Sequence, residues 1–175
     1  MRIEALTETT ATAAIDSKVK SLLSAAFAGD FTPEDWDHFQ GGPRWIGFLA
    51  DEVVAHGAVV PRRMWIDEVE ISVGYVEAIA VLPKYWRQGL GTILMKEITN
   101  YCEVNFELSM LSTDEKGFYR THGWRDFPGK SFILRGENIT RSEDEDAGLM
   151  YLSRTGMELL DTSTVLCEER IGDSW

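Results

Sequence analysis

The chain has 175 residues, 44% of them hydrophobic, which suffices for one buried core and predicts a single domain over residues 1–175. Its net charge of −12 repels phosphate backbones, whose non-specific affinity comes from Lys and Arg displacing counterions, and so excludes nucleic acid as an expected partner. The same field concentrates a small cation over roughly 8–10 Å at physiological salt.

The opening MRIEALTETTATAAIDS lacks a basic region followed by an apolar stretch, and no run of about 18 apolar residues follows anywhere, so a soluble, cytoplasmic protein is expected. Ile15, Val19, Leu22, Leu23, Ala26 and Phe27 lie at helical spacing, and Gly29 is a natural stop. In FTPEDWDHF, Thr32 as cap, Pro33 in the first turn and acids at 34, 35 and 37 predict a short helix. After the GGPR turn, residues 45–81 read as three antiparallel strands joined at Asp51-Glu52 and near Asp67. A helix is predicted from about Gly91 to Val104, then a strand FELSMLS, a helix EKGFYRTH ended by Gly123, and short strands at 124–127, 132–134 and 149–152. The acidic RSEDEDAG stretch (141–148) reads as a loop. Strands first, then alternating strands and helices, predict an α+β (mixed α/β) domain: a mixed, mostly antiparallel sheet with helices on both faces.

The stretch VEAIAVLPKYWRQGLGTILMKEI raises a chemical question. By the two-residue strand period, Tyr75, Glu77, Ile79 and Val81 share one face, while Val76, Ala78 and Ala80 share the other. Both faces are apolar, so the strand is central, and an unpaired Glu77 carboxylate there costs on the order of several kcal/mol unless it is used or compensated. Pairing with Arg62 or Arg63 is the structural alternative. Beyond Pro83, RQGLGT brings backbone N–H groups to a helix start, and glycines 89 and 91 let a ligand approach, which makes an anion site suited to a diphosphate. A plain capping turn gives the same pattern.

Other motifs fail. Leu94 stands where GxGxxG needs its third glycine; GWRDFPGKS has five residues between its glycines where a P-loop has four; there is no GxSxG. His38, His56 and His122 have neither metal nor triad spacing, and no metal is expected. Cys102 and Cys167 form no CxxC or Cys/His ligand spacing, so neither a disulfide framework nor a covalent role is expected.

A central strand carrying a Glu, a Pro-broken turn, a glycine loop opening a helix, and FYRTHGW closing the next helix resemble the GCN5-related N-acetyltransferase (GNAT) superfamily over nearly the whole chain. That resemblance implies acetyl-CoA as co-substrate. The family loop Arg/Gln-x-x-Gly-x-Gly/Ala falls on Trp86, Arg87, Gln88, Gly89, Leu90 and Gly91, with Trp86 departing from the usual Arg or Gln. The resemblance assigns the cofactor to Ile79, Ala80 and Val81 on the strand and to residues Arg87 through Thr92 in the loop, including Gln88 and Leu90.

A narrower resemblance, carried by AFAGDFTPEDWDH, GYVEAIAV, LDTS and GDSW, is to the aminoglycoside 2'-N-acetyltransferases. It implies that Asp30, Asp35, Glu77, Ser112, an acid of the 144–146 segment with Glu145 nearest in register, Asp173 and Trp175 face the substrate. A polycation needs ionised acceptors, each charge-assisted bond being worth roughly 1.5–3 kcal/mol. The resemblance also implies Glu77 as general base, helped by the Trp175 α-carboxylate, and Tyr119 as general acid to the leaving thiolate. A backbone N–H near Ile79 is expected to support the oxyanion, and Val81 to pair with the pantetheine amides. Related enzymes make a homodimer a further expectation. Acetylation of kasugamycin, another amino sugar or a polyamine-like metabolite, and a non-catalytic binding module, are the alternatives.

Overall fold

The protein is described over residues 1–7 and 10–175 from a computed structural model. In chain order the elements are β1 (Arg2–Leu6), α1 (Ala13–Ala26), α2 (Pro33–His38), β2 (Arg44–Leu49), β3 (Glu52–Ile66), β4 (Val69–Val81), α3 (Leu90–Asn105), β5 (Leu108–Ser112), α4 (Lys116–Arg120), β6 (Arg125–Asp126), β7 (Lys130–Arg135), β8 (Asn138–Arg141), α5 (Glu143–Asp146), β9 (Leu149–Ser153) and β10 (Thr164–Glu168). They divide into two compact units, Met1–Val60 with Val76–Tyr101, and Pro61–Tyr75 with Cys102–Trp175. The long strands β3 and β4 contribute to both.

In the first unit, β1 pairs antiparallel with β2, and β2 with β3, where Ile46 stands opposite His56. Helix α1 starts because the Thr12 side chain accepts from Ile15 N at 3.3 Å, and it ends where Ala28 and Gly29 turn left-handed (φ 54° and 90°). Its apolar stripe buries Val19, Leu22 and Leu23 against Phe39, Ile46, Ala58 and Ala80. Fully burying each such side chain stabilises by about 1.5–3 kcal/mol. The opposite face of β3 is covered by α3. Gly57 lies beneath Ile79, Ile98 and Leu94, and the Trp45 and Tyr101 rings meet edge-on at 4.9 Å. Helices therefore flank both faces of the sheet in this unit, as the two apolar faces of residues 75–81 predict.

The strict alternation predicted for those residues does not hold. Ala78 has φ 50°, in the left-handed region, so the extended backbone is interrupted midway along β4. Glu77 is also half-buried, not enclosed, so its carboxylate bears less of the desolvation cost that full burial imposes.

In the second unit the strand order is β6-β9-β5-β4-β3-β10-β7-β8. The pairs β4/β5 and β7/β10 are parallel, and β3/β10, β5/β9, β6/β9 and β7/β8 are antiparallel. The predicted joint near Asp67 is a hairpin turn with Asp67 and Glu68 both left-handed (φ 48° and 70°), a geometry that matches strand twist. Met64, Tyr75, Leu108, Met110, Phe127, Tyr151, Val165 and Trp175 form its core.

The α+β class with a mixed sheet flanked by helices agrees with the expectation from sequence. The reading missed β1, β8 and β10, and residues 143–146 are one helical turn, α5, not a loop. That turn is fixed by Ser131, fifteen residues away, and by nearby Arg141. Asp146 Oδ1 accepts from Ser131 N at 2.9 Å and from Ser131 Oγ at 2.7 Å, and Arg141 clamps the same carboxylate.

A Cβ at residue 57 would lie 2.4 Å from Ile79 Cδ1 and 2.6 Å from Ile98 Cδ1. Gly57→Val is expected to lower unfolding free energy by about 1–3 kcal/mol through overpacking, as measured by urea denaturation.

Candidate active site

The corner after β4 is built from its own backbone. Pro83–Tyr85 form a single tight turn, and the Trp86 indole N–H donates to Val81 O at 2.6 Å. This anchor pins the loop to the end of the strand, and the indole remains 55% exposed. Arg87 and Gly89 are left-handed (φ 59° and 78°), and nothing lies within 4 Å of a Cβ built on Gly89. The first bond of the α3 ladder runs from Ile93 N to Gly89 O at 3.2 Å, so the N–H groups of Leu90, Gly91 and Thr92 precede it. With the positive end of a 16-residue helix dipole behind them, these donors suit an anion. Arg87 and Gln88 are exposed beside them. The Val81 carbonyl already accepts from Trp86, so any amide that pairs there shares that oxygen with the indole.

Glu77 precedes the left-handed Ala78 directly. The Ala78 carbonyl lies 2.9 Å from Nδ1 of His56, a ring with 0% exposure. Beyond it, Ile79 covers Gly57 and Ala80 enters the α1 core. Of the two acids predicted on the α1–α2 segment, Asp30 is exposed. Asp35 serves the capping box of α2: its Oδ2 accepts from Thr32 N at 2.8 Å and Thr32 Oγ1 at 3.0 Å, while Thr32 Oγ1 accepts from Asp35 N at 3.2 Å.

The second unit gathers Ser112, Glu145, Asp173 and Trp175. Ser112 ends β5, and the next residue's N–H donates to Gly148 O at 2.9 Å. A Cβ on Gly148 would sit 2.8 Å from Ser112 Oγ, so this hydroxyl lies directly against the segment after α5. Burial, then the charges of Asp173 and Asp144, raise the Glu145 carboxyl above the usual carboxylate range. Asp173 accepts from Trp175 N at 2.9 Å, and the Trp175 indole N–H donates to Ser142 Oγ at 3.2 Å. The Trp175 side chain is buried, and its backbone oxygen accepts from Arg170 at 3.3 Å. A cation therefore already faces the oxygen expected to hold an amine. Within the 144–146 segment, Asp146 is engaged by Arg141 and Ser131, which leaves Asp144 and Glu145 as the candidates for a ligand.

Tyr119 stands on α4, 8% exposed and edge-on to Phe118 and Trp124. Burial pushes its hydroxyl pKa up, opposed by a hydrogen bond with the Thr113 side chain. It stays protonated, as an acid must, but complete transfer to a thiolate is less favourable than the reference value near 10 suggests. Cys102 and Cys167 are free and buried, their thiols pushed up by burial to about 12 and about 11, so neither is an activated nucleophile. Among the described residues, no cluster of His, Cys, Asp or Glu suited to a metal ion occurs.

Sequence reasoning missed the residues that hold the others in place. Arg62 donates to Ser174 O at 2.8 Å with its guanidinium 4.7 Å over the Tyr75 ring, fixing the segment before Trp175. Ser142 and Thr113 act through single hydroxyls, and no local pattern flags them. His56 was legible in one respect: VVAHGAVV sets one titratable ring in an apolar strand.

A family model described as an acetyltransferase (GNAT) domain matches residues 9–126. The aminoglycoside 2'-N-acetyltransferase of Mycolicibacterium fortuitum is 34% identical over 161 residues, 89% of this chain and 83% of that protein. The chain belongs to the GNAT acetyltransferases. Two GNAT structures share the fold. The N-acetyltransferase YhbS of Escherichia coli, in complex with CoA, gives TM-score 0.67 at 15% identity, covering 98% of this chain and 94% of that one. A Brucella melitensis acetyltransferase in complex with acetyl-CoA gives 0.62 at 16% identity, covering 94% of each. The chain spans 32% of the length of another neighbour, a probable N-acyltransferase of Enterococcus faecalis (TM-score 0.60, 17% identity, 72% of this chain). Acetyl-CoA as co-substrate accords with the GNAT family, and the open, left-handed Gly89 with the donors of residues 90–92 fits its diphosphate. No helix among the described residues is long and apolar enough to cross a membrane.

Thr32→Ala and Asp35→Ala are each expected to cost about 0.5–2 kcal/mol of stability through the lost cap. Only Asp35→Ala should raise KM for a polycationic substrate; equal KM values in the two variants would assign Asp35 to the cap alone.

Proposed function

We propose that this GNAT protein transfers the acetyl group of acetyl-CoA to the 2'-amine of an aminoglycoside, as a cytoplasmic enzyme whose two units work as one catalytic domain. The observation that carries the reading is the gathering of Glu145, Asp173 and the Trp175 segment at Ser112, in a chain 34% identical to an aminoglycoside 2'-N-acetyltransferase. Asp30, exposed, and Asp35, partly buried, are the further carboxylates proposed to meet the drug. Acetylation removes a positive charge that the drug's amine carries at neutral pH, which is the route to resistance.

In this reading the loop of residues 87–92 holds the diphosphate through its N–H groups, with Arg87 adding charge. Glu77 takes a proton from the 2'-ammonium through ordered water, because an ammonium has no lone pair with which to attack. The freed amine attacks the acetyl carbon: a C–N bond forms, the C–S bond breaks, the Ile79 N–H stabilises the oxyanion, and the nitrogen sheds its second proton to water, from which Tyr119 is reprotonated. Tyr119 supplies the proton that the departing thiolate takes up. No covalent enzyme intermediate is involved. Trp175 packs the substrate side, and Asp173 orients its backbone.

Thiol release on mixing acetyl-CoA with aminoglycosides tests the assignment against its alternatives: release with kasugamycin or polyamines only would move the substrate class, and binding with no release would leave a non-catalytic module. Glu77→Gln is expected to lose about 10²–10⁴-fold in turnover across the pH range, and a near-normal rate would reject the base assignment.

The raised Glu145 carboxyl must be ionised to accept a cation, and it ionises only above its raised pKa. KM for the aminoglycoside is therefore expected to rise as pH falls through that carboxyl's titration, and the Glu145→Gln variant should show a flatter KM–pH profile.

A further inference from the structure

Residues 53–59 of β3 are all buried, and His56 is the one titratable side chain among them. An imidazole enclosed at 0% exposure is costly unless its polar atoms are used. Its Nδ1 is used, lying 2.9 Å from Ala78 O. A carbonyl can only accept, so that nitrogen carries the proton. Burial first, and then the positive charge of Arg44, hold the ring neutral with a pKa lowered to about 4, against the opposing pull of the Ala78 hydrogen bond and of Asp16. Those two charged groups face it from β2 and α1 and are joined to each other at 2.8 Å, while the Phe39 ring lies 4.9 Å from the imidazole. A neutral ring has one N–H, so Nε2 carries the lone pair, and among the described residues it has no protein partner.

The carbonyl it holds belongs to Ala78, the left-handed residue between Glu77 and Ile79. A residue with a Cβ keeps that conformation only where its surroundings over-determine it. We propose that His56 is a positioning residue for acetyl transfer: its Nδ1–H fixes the Ala78 carbonyl, and with it the left-handed break in β4 that sets the Glu77 carboxylate and the Ile79 N–H. The proposal rests on the reading of Glu77 as base.

The test compares His56→Leu, which removes the donor at similar bulk, with His56→Asn, whose side-chain amide places an N–H near the position of Nδ1. His56→Leu should lose about 10²-fold in kcat, the scale of an ångström-level misplacement, with KM for acetyl-CoA within about twofold of the parent. His56→Asn should recover most of that kcat. ¹⁵N NMR of the unmodified protein, which needs no variant to fold, should show the Nδ1–H tautomer, still neutral at about pH 5.5.

The Nε2–H tautomer, or a folded His56→Leu with unchanged kcat, would overturn the proposal. So would equal losses in both variants that follow their loss of folded protein. The base assignment stands or falls separately, on the turnover of Glu77→Gln, while the tautomer reports on the hold at Ala78.

Discussion

A strand covered by helices on both faces tolerates a break only where the freed backbone groups find partners, and β4 breaks at Ala78. The constraint governs what surrounds it. Gly57 leaves room for Ile79 on the α3 face, Ala80 keeps the α1 face small, and an imidazole takes the Ala78 carbonyl. Further along, the strand's last carbonyl, on Val81, is taken by an indole instead of a neighbouring strand. Ordinary ladder bonds are thus replaced by side-chain donors at two points, and between those points lie the residues proposed to meet the acetyl group. In the proposed reading, the interrupted strand is what offers main-chain groups to the thioester.

The charge of −12 is not spread evenly in role. Asp146 is neutralised by Arg141 and spends its oxygens fixing α5, and Asp35 caps α2. Burial first, and then the charges of Asp173 and Asp144, instead raise the Glu145 carboxyl. Like charges held together oppose folding, and a polycation relieves that repulsion when it binds. In the proposed reading, the same acids that disfavour the empty state supply affinity. Two cations, buried Arg62 and half-buried Arg170, sit instead where the chain before Trp175 must be fixed, 4.7 and 5.9 Å over the Tyr75 ring.

Helices α1 to α4, the strands β2 to β4, the Thr32 cap and the glycine loop were legible from local signals, since each depends on residues within a turn or two of one another. The Glu77 strand was legible as central from its two apolar faces. The break at Ala78 was not, because alanine carries no left-handed signature and the reason for it sits on another strand. The turn at 143–146 read as a loop because Ser131, which fixes it together with Arg141, lies outside the acidic stretch. Trp86 looked like a defect in the phosphate loop; its hydrogen bond to Val81 gives it a different task, anchoring the loop. The residues that hold Trp175 come from β3 and from the segment after β10, a closure no window of sequence displays.

The central claim, acetyl transfer to one amine of a bound polycation, is tested most directly by the product. Two aminoglycosides that differ only in carrying an amine or a hydroxyl at the 2' position are incubated with acetyl-CoA and the protein, and the products are mapped by two-dimensional NMR. The account predicts a single acetyl on the 2'-nitrogen of the first and no turnover of the second. Acetylation of both compounds at a shared amine elsewhere on the rings would contradict it.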